Sequence, residues 1–257
     1  MTGSKQGSPI MLTGRDIALL RFMPEAKLLD REQVQALLSF GSVTRVNERL
    51  LRLHAAGLLR RFFLGTLAGG RKALYALSSR GAAAIGQDRV WKLQRTEDEL
   101  LVGEAFVEHQ LAVNWCWISL KLGPESNLVR FVRFNEPISP SLPLAPDGYA
   151  ELDVTGIVHP VFLEVDLGTE TSRVWDRKVE LYLKLAASGE FARLFRQQRF
   201  KVAVVCTSER RMQSLRKVIR KHTDKLFYFS LLQTIKRDGI RSPHWLRPEG
   251  DERHPLA

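Results

Sequence analysis

Two neighbouring segments of alternating side chains constrain the fold of this chain more than any other feature. Residues 147–153 read Asp-Gly-Tyr-Ala-Glu-Leu-Asp, and residues 161–167 read Val-Phe-Leu-Glu-Val-Asp-Leu. Because side chains alternate between the faces of a strand, Glu164 and Asp166 share one face. A hairpin that turns at Thr155-Gly156 brings the start of the first segment beside them. The pattern therefore predicts a strand pair with carboxylates gathered on one face, where like charges repel unless a cation lies among them.

A cation candidate follows on the next predicted helix, residues 172–187. Lys178 borders the apolar stripe of that helix, on the side of the sheet, where a lysine needs a carboxylate partner. Mg²⁺ also prefers carboxylate oxygens, and Mn²⁺ can replace it. Asp147 and Glu164 are the predicted metal ligands, and Asp166 is either a second ligand or the salt-bridge partner of Lys178. The four residues form a candidate catalytic site for metal-assisted phosphodiester hydrolysis. The alternative is a structural cluster of ion pairs.

Charge is unevenly distributed along the 257 residues, whose net charge is +11. Residues 1–80 carry 13 lysines and arginines against 5 acidic residues, and residues 193–247 carry 15 against 3. Residues 81–192, which contain the carboxylates, carry 10 against 17. Basic faces attract a polyanion, so this segregation favours DNA or RNA binding over a general gain in solubility.

Residues 10–88 read as a winged helix-turn-helix domain. Successive helices are expected to begin at the capping residues Thr13, Asp30 and Ser42. Pro24 is expected to end the first helix, because proline disrupts a helix interior. Two strands around Gly69-Gly70 then form a β-hairpin, the wing.

The winged-helix architecture predicts which side chains contact DNA. Its third helix enters the major groove, and the early residues of that helix reach bases or phosphates. The candidates on the third helix and the wing are Arg45, Asn47, Arg49, Arg52, Arg71 and Lys72. A basic helix over residues 209–222 adds the candidate phosphate contacts Arg210, Arg211, Lys217 and Arg220. An ordinary solvated helix face is the alternative interpretation.

Residues 95–248 read as an α/β domain with a mixed central sheet. A long helix over residues 95–122 precedes strands at 128–135, 148–155 and 160–167, helices at 172–187 and 190–198, a strand at 200–207, a helix at 209–222 and a strand at 227–232. The nearly continuous apolar run at 200–207 is typical of a central buried strand. Trp245, in the tail, is expected to plug the core. The whole chain is therefore assigned to the mixed class, α+β with an α/β second domain.

The second domain resembles the PD-(D/E)XK nuclease superfamily. Pro146-Asp147 looks like the first metal-binding motif, and Glu164 looks like the second carboxylate. Asp166 stands where the motif lysine is expected, and Lys178 looks like a lysine that has migrated to the helix. The preceding helix offers the extra glutamate of some members at Glu104 or Glu108. The resemblance implies a nuclease-like fold.

More narrowly, the layout resembles the replication-relaxation family of bacterial plasmids and mobile elements. After the winged helix, the motifs that carry this resemblance are residues 108–114, Pro146-Asp147, residues 162–170, Lys178 with Tyr182, and residues 243–245. The resemblance implies DNA binding linked to replication or relaxation of the element. Three functions follow: an endonuclease or nickase, a non-catalytic replication accessory or repressor, and a module that recruits replication or transposition proteins.

The remaining expectations concern partners and location. Cys116 and Cys206 are far apart in sequence, which argues against a disulfide framework or a zinc site and fits a reducing cytosol. No apolar run approaches the length of a membrane span, so a cytoplasmic protein without a membrane partner is expected. Duplex DNA is the expected ligand, and the long helix is a candidate homodimer element that would suit a palindromic site.

Overall fold

The computed structural model describes residues 10–65, 70–87, 90, 104–122, 128–134 and 136–257. These residues divide into two compact units, Met1–Asn114 and Trp115–Ala257. Gly69 of the predicted hairpin turn and residues 95–103 of the predicted long helix lie outside the described residues. The side chain of Glu104 also lies outside them, whereas that of Glu108 is exposed.

The first unit contains the expected helices and hairpin. Its elements before the long helix are α1 (Gly14–Ala26), β1 (Leu29–Asp30), α2 (Arg31–Leu37), α3 (Val43–Ala55), β2 (Leu59–Gly65), β3 (Arg71–Leu77) and α4 (Ser79–Ala84). The side chains of Thr13, Asp30 and Ser42 each accept a hydrogen bond from the backbone N–H three residues later, so the predicted N-caps are confirmed. The short strand β1 was not predicted. It pairs with β3 and gives an antiparallel sheet of order β1-β3-β2.

Pro24 does not end α1, so that expectation was wrong. The helix continues to Ala26 with the proline inside its last turn. Lys27, with φ of 64°, closes the helix and donates its N–H to the Met23 carbonyl at 2.8 Å. A proline here removes one intrahelical hydrogen bond, and the complete burial of Met23 and Ala26 offsets that loss.

The second unit is built on a mixed sheet, as predicted. The long helix α5 (Glu104–Lys121) contributes residues to both units. The later elements are β4 (Leu128–Val132), β5 (Gly148–Val154), β6 (Ile157–Asp166), α6 (Ser172–Ala187), α7 (Glu190–Phe195), β7 (Lys201–Cys206), α8 (Glu209–Arg220), β8 (Phe227–Leu231), α9 (Leu232–Asp238), β9 (Trp245–Leu246) and β10 (Arg253–His254). In the described residues the sheet order is β10-β9-β8-β7-β6-β5-β4. The strands β6, β7 and β8 run parallel, and the other pairs are antiparallel.

An aromatic core lies on the face of the sheet that also carries Glu164 and Asp166. Its members include the fully buried rings of Tyr149, Phe162, Trp175 and Tyr182, which come from β5, β6 and α6. Trp245 is also fully buried, as expected, and it lies within the short strand β9. The charged residues at the end of β6 are therefore held against a tightly packed apolar layer, where an unpaired charge is costly.

The cysteines and the helices of the described residues bear on the remaining expectations. Cys116 and Cys206 are free thiols, and both are buried. Burial raises the pKa of the Cys206 thiol to about 12, which makes it a poor nucleophile. Within the described part of the chain, none of the helices has the length and apolar character that a bilayer crossing requires.

Candidate functional site

A group of charged side chains lies at the carboxyl end of β6. We call it the carboxylate cluster, and its members are Asp147, Glu164, Asp166, Glu170, Lys178 and Arg211. Gly148 pairs with Leu163 in the β5–β6 hairpin, so the preceding residue, Asp147, lies opposite Glu164. The backbone N–H of Asp147 donates to the Leu163 carbonyl at 2.9 Å, and its carboxylate accepts the Val165 N–H at 2.7 Å. The hairpin register thus brings the two carboxylates together, as the alternation of the two strands indicated.

Glu164 is the buried centre of the cluster, with 1% of its surface exposed. Its Oε2 accepts a hydrogen bond from Lys178 Nζ at 2.9 Å, and its Oε1 accepts one from the Tyr182 hydroxyl at 2.6 Å. Burial raises the pKa of Glu164 to about 7, aided by the negative charge of Asp147 and opposed by Lys178. Near neutral pH this side chain therefore exchanges between a carboxylate and a neutral acid.

Lys178 bridges two carboxylates. Besides Glu164, its Nζ contacts the Glu170 carboxylate at 2.8 and 2.9 Å, and it lies 5.0 Å from the centre of the Trp175 ring. Burial opposes its charge, but Glu164 and Glu170 outweigh burial and raise the pKa of Lys178 above its ordinary value. Lys178 is consequently a fixed positive charge and does not act as a base. The sequence analysis did not single out Glu170 as a partner of Lys178, although it directly precedes Thr171, the N-cap of α6.

Asp166 is paired with Arg211 and not with Lys178, which corrects one of the two roles the sequence suggested. The Nε and Nη2 atoms of Arg211 donate to its two oxygens at 2.7 and 2.8 Å. The Trp175 indole and the Gly168 N–H donate at 2.8 and 2.7 Å. Burial opposes ionisation, but these four hydrogen bonds hold the pKa of Asp166 below its ordinary value.

Arg211 was predicted to contact phosphate on the solvent side of α8, and that prediction was wrong. Its side chain is only 17% exposed, and its guanidinium also donates to the Glu170 carbonyl at 2.6 Å. Because its guanidinium forms a bidentate pair with a buried carboxylate, Arg211 stabilises the fold instead of contacting phosphate.

The cluster, as arranged, does not fit a Mg²⁺ site. Both oxygens of Glu164 and both oxygens of Asp166 accept hydrogen bonds from protein donors. One carboxylate oxygen of Asp147 also accepts a hydrogen bond from the Val165 N–H. In the part of the chain that the structure describes, no three acidic, histidine or cysteine side chains are grouped to hold a metal ion. Lys178 and Arg211 supply positive charge where the sequence suggested a metal.

A second candidate surface lies in the first unit, on α3 and the hairpin. Arg45 and Arg52 of α3 and Arg71 of β3 are exposed, and Asn47 is half-buried. Arg45 and Arg52 line a cleft of about 610 Å³, and Asn47 and Arg71 line another of about 570 Å³. The three arginines form no ion pair with any described residue, so their charge is open to a ligand.

Arg49 and Lys72, which were also predicted to contact DNA, form ion pairs with carboxylates of the first unit. Arg49 Nε donates to Asp16 at 2.7 Å, which ties α3 to the first turn of α1. Lys72 Nζ lies 2.6 Å from Asp30, the N-cap of α2. Both carboxylates are at most 2% exposed. Because a buried carboxylate needs its cation, these two side chains stabilise the fold before they can serve a ligand.

The remaining predicted contacts lie on α8. Arg210, Lys217 and Arg220 are exposed, and Arg220 forms an ion pair with Glu249 at 2.8 Å. An exposed pair of this kind is weak and is readily exchanged for a phosphate. The exposed side of α8 thus keeps the positive character that its sequence indicated.

Comparison with known proteins identifies one family. A sequence model of the replication-relaxation family matches residues 20–196. Among solved structures, restriction endonuclease FokI is similar, with a TM-score of 0.35 and 13% identity over 87% of this chain and 43% of that chain. FokI bound to DNA gives a TM-score of 0.30 and 12% identity over 87% of this chain and 44% of that chain. The chain therefore spans less than half the length of that enzyme. A comparison with curated proteins found no match.

Proposed function

The chain belongs to the replication-relaxation family, and on that premise we propose that it is a duplex DNA-binding protein. Its biological role would be the replication or relaxation of a plasmid or another mobile element. The first unit is proposed to be a winged helix, with α3 as the recognition helix and the β2–β3 hairpin as the wing. A homodimer on a palindromic site stays a prediction.

One observation carries this proposal: α3 and the start of β3 present arginines that the fold does not use. Arg45, Arg52 and Arg71 are exposed and form no ion pair with the described residues, whereas Arg49 and Lys72 neutralise buried acids. A recognition helix needs cations that are free to reach phosphates and base edges. The separation into structural and free cations supports a DNA-facing surface.

The second unit is proposed to be a nuclease-like α/β domain that supports DNA binding without cutting. The observation in favour is the pairing of its acids: Lys178 is shared by Glu164 and Glu170, and Arg211 is paired with Asp166. Exposed cations on α8 give this unit its own attraction for a phosphate backbone. Replication or transposition proteins are further candidate partners.

Mg²⁺-dependent cleavage is the competing function. The observation that favours it is the position of Asp147 opposite Glu164, with Lys178 at 2.9 Å from the latter. A cleavage assay separates the two functions. Supercoiled plasmid is incubated with the full chain in Mg²⁺ or Mn²⁺, beside EDTA and the variants Asp147→Ala and Lys178→Ala. We expect no metal-dependent nicking by any of them. Nicking by the parent that both variants and EDTA abolish would replace our proposal with an endonuclease.

DNA binding itself is tested by salt-dependent affinity for duplex DNA. Arg52→Ala is expected to weaken binding about tenfold and to lower the slope of log affinity against log salt by about one. Arg21→Ala removes the same charge from the exposed side of α1 and is the matched control, with no expected change. Equal losses for the two variants would show that net charge, and not α3, determines the affinity.

A further inference from the structure

A basic pocket lies at the amino-terminal edge of the parallel strands, away from the carboxylate cluster. The strands β6 and β7 begin at Ile157 and Lys201, and a cavity of about 730 Å³ surrounds these ends. Cations line this pocket at Arg199, Lys201, Lys225 and Arg247, beside the ring of Tyr228. No acidic side chain is among the lining residues, all of which the structure describes. The cavity size lies in the range of small-molecule sites.

Two of the four cations of the basic pocket, Lys201 and Arg247, are held in place without being neutralised. Lys201 Nζ donates to the Leu256 carbonyl at 2.6 Å and lies 5.2 Å from the centre of the Tyr228 ring. Arg247 donates to the Asp224 carbonyl at 2.7 Å. Carbonyls and an aromatic face orient a cation, but they leave its full charge in place. Within the described residues, none of the four pocket cations forms an ion pair with a carboxylate.

Mutual repulsion and burial add to this imbalance. Burial lowers the pKa of the half-buried Lys201. Burial and the charge of Lys201 lower the pKa of His159, which also lines the pocket. Such groups gain stability when an anion arrives, because the anion supplies the charge that the protein omits. The pocket is therefore poised for a ligand with a concentrated negative charge.

We propose that the basic pocket binds the phosphate of a nucleotide, either free or at the end of a nucleic acid strand. Arginine and lysine together suit a phosphate, because they combine a planar fork of donors with a point charge. The ring of Tyr228 and the apolar walls at Pro160 and Leu226 offer contact for the sugar and base. A bare inorganic anion would leave that apolar surface unused.

The test is isothermal titration of the full chain with thymidine 5′-monophosphate, thymidine and inorganic phosphate. The monophosphate is expected to bind at least about tenfold more tightly than either fragment, since only it engages both parts of the pocket. Arg199→Gln and Lys225→Gln change exposed side chains and should each weaken it about tenfold, as expected when a charge-assisted hydrogen bond is lost. Arg177→Gln, an exposed change on α6 outside the pocket, is the control and should have no effect.

Two further arms identify the source of the phosphate. A single-stranded oligonucleotide with a 5′-phosphate is compared with the same strand ending in a 5′-hydroxyl. Preference for the phosphorylated strand over the mononucleotide indicates a strand end, and the reverse preference indicates a free nucleotide. The proposal is overturned if the monophosphate binds no more tightly than thymidine, or if the control loses as much affinity as the pocket variants. Duplex affinity, measured in parallel, depends on α3 and so reports separately on the proposed function.

Discussion

Replacing Lys178 with methionine should destabilise the protein in a way that depends on pH. The substitution keeps an unbranched apolar side chain and removes the cation that bridges Glu164 and Glu170. Glu170 is one-third exposed and can be solvated instead, but Glu164 is 1% exposed and cannot. Glu164, which keeps its hydrogen bond from Tyr182, must then either stay charged without a cation or keep a proton.

The magnitude follows from proton linkage. A carboxyl group whose folded-state pKa lies above its unfolded value stabilises the fold at low pH and loses that contribution as pH rises through the folded pKa. In the parent this loss is complete slightly above pH 7, because the pKa of Glu164 is raised from 4.5 to about 7. Without Lys178 the pKa of Glu164 rises further, so the loss continues at higher pH. The destabilisation should be about 1 kcal/mol at pH 6, where only the partly exposed pair with Glu170 is lost.

Above pH 7 Glu164 is ionised in the folded parent but still protonated in the folded variant. The destabilisation should therefore grow by about 1.4 kcal/mol for each pH unit. At pH 9 it then approaches about 4 kcal/mol, the range measured for breaking buried ion pairs. Urea unfolding of both proteins between pH 6 and pH 9, followed by tryptophan fluorescence, measures this. Arg177→Met, on the exposed neighbouring position, should show a small difference that is independent of pH. A flat difference for Lys178→Met across the range would refute the reasoning.

Further substitutions test other parts of the fold by unfolding free energy at pH 7. Asp166→Asn leaves the guanidinium of Arg211 without its carboxylate and should cost about 3 kcal/mol, whereas unchanged stability would contradict the role of the pair. Gly81→Ala places a methyl group 2.1 Å from the Leu58 carbonyl oxygen, so a loss of about 2 kcal/mol or more is expected, and a neutral result would mean that the backbone can shift. Arg49→Met strands a buried carboxylate and should cost about 3 kcal/mol while leaving the salt dependence of DNA binding unchanged.

The strand pair of the site could be predicted because its signal is local. Alternation over residues 161–167 fixes which side chains share a face, and the turn at Thr155-Gly156 fixes the register that brings Asp147 to Glu164. The apolar stripe of α6 likewise indicated that Lys178 faces the sheet. Each inference used a period of two or of 3.6 residues, which a sequence shows directly.

The partners of the carboxylates could not be predicted, because they depend on how separate elements pack. Arg211 lies on a helix with several other cations, and nothing in its own sequence position distinguishes it as the one that reaches Asp166. The short strand β1 and the continuation of α1 past Pro24 are further cases in which tertiary packing outweighs local preference. Local sequence patterns thus predict which face of a strand or helix a residue lies on. They do not predict which side chain from another element pairs with it.

The charge balance of the cluster explains why an acidic motif alone did not identify its cation. Glu164 and Glu170 share one fixed cation, Lys178, and Asp166 has its own, Arg211, so the two carboxylates around Lys178 carry more negative charge than their shared cation balances. A metal ion would relieve that excess, but a proton does so as well. With its pKa raised to about 7 by burial, Glu164 can take up that proton near neutral pH, whereas the hydrogen bonds donated by Lys178 and Tyr182 favour the carboxylate. A metal ion needs a carboxylate lone pair that no donor holds, and the two oxygens of Asp166 already accept four hydrogen bonds from the protein.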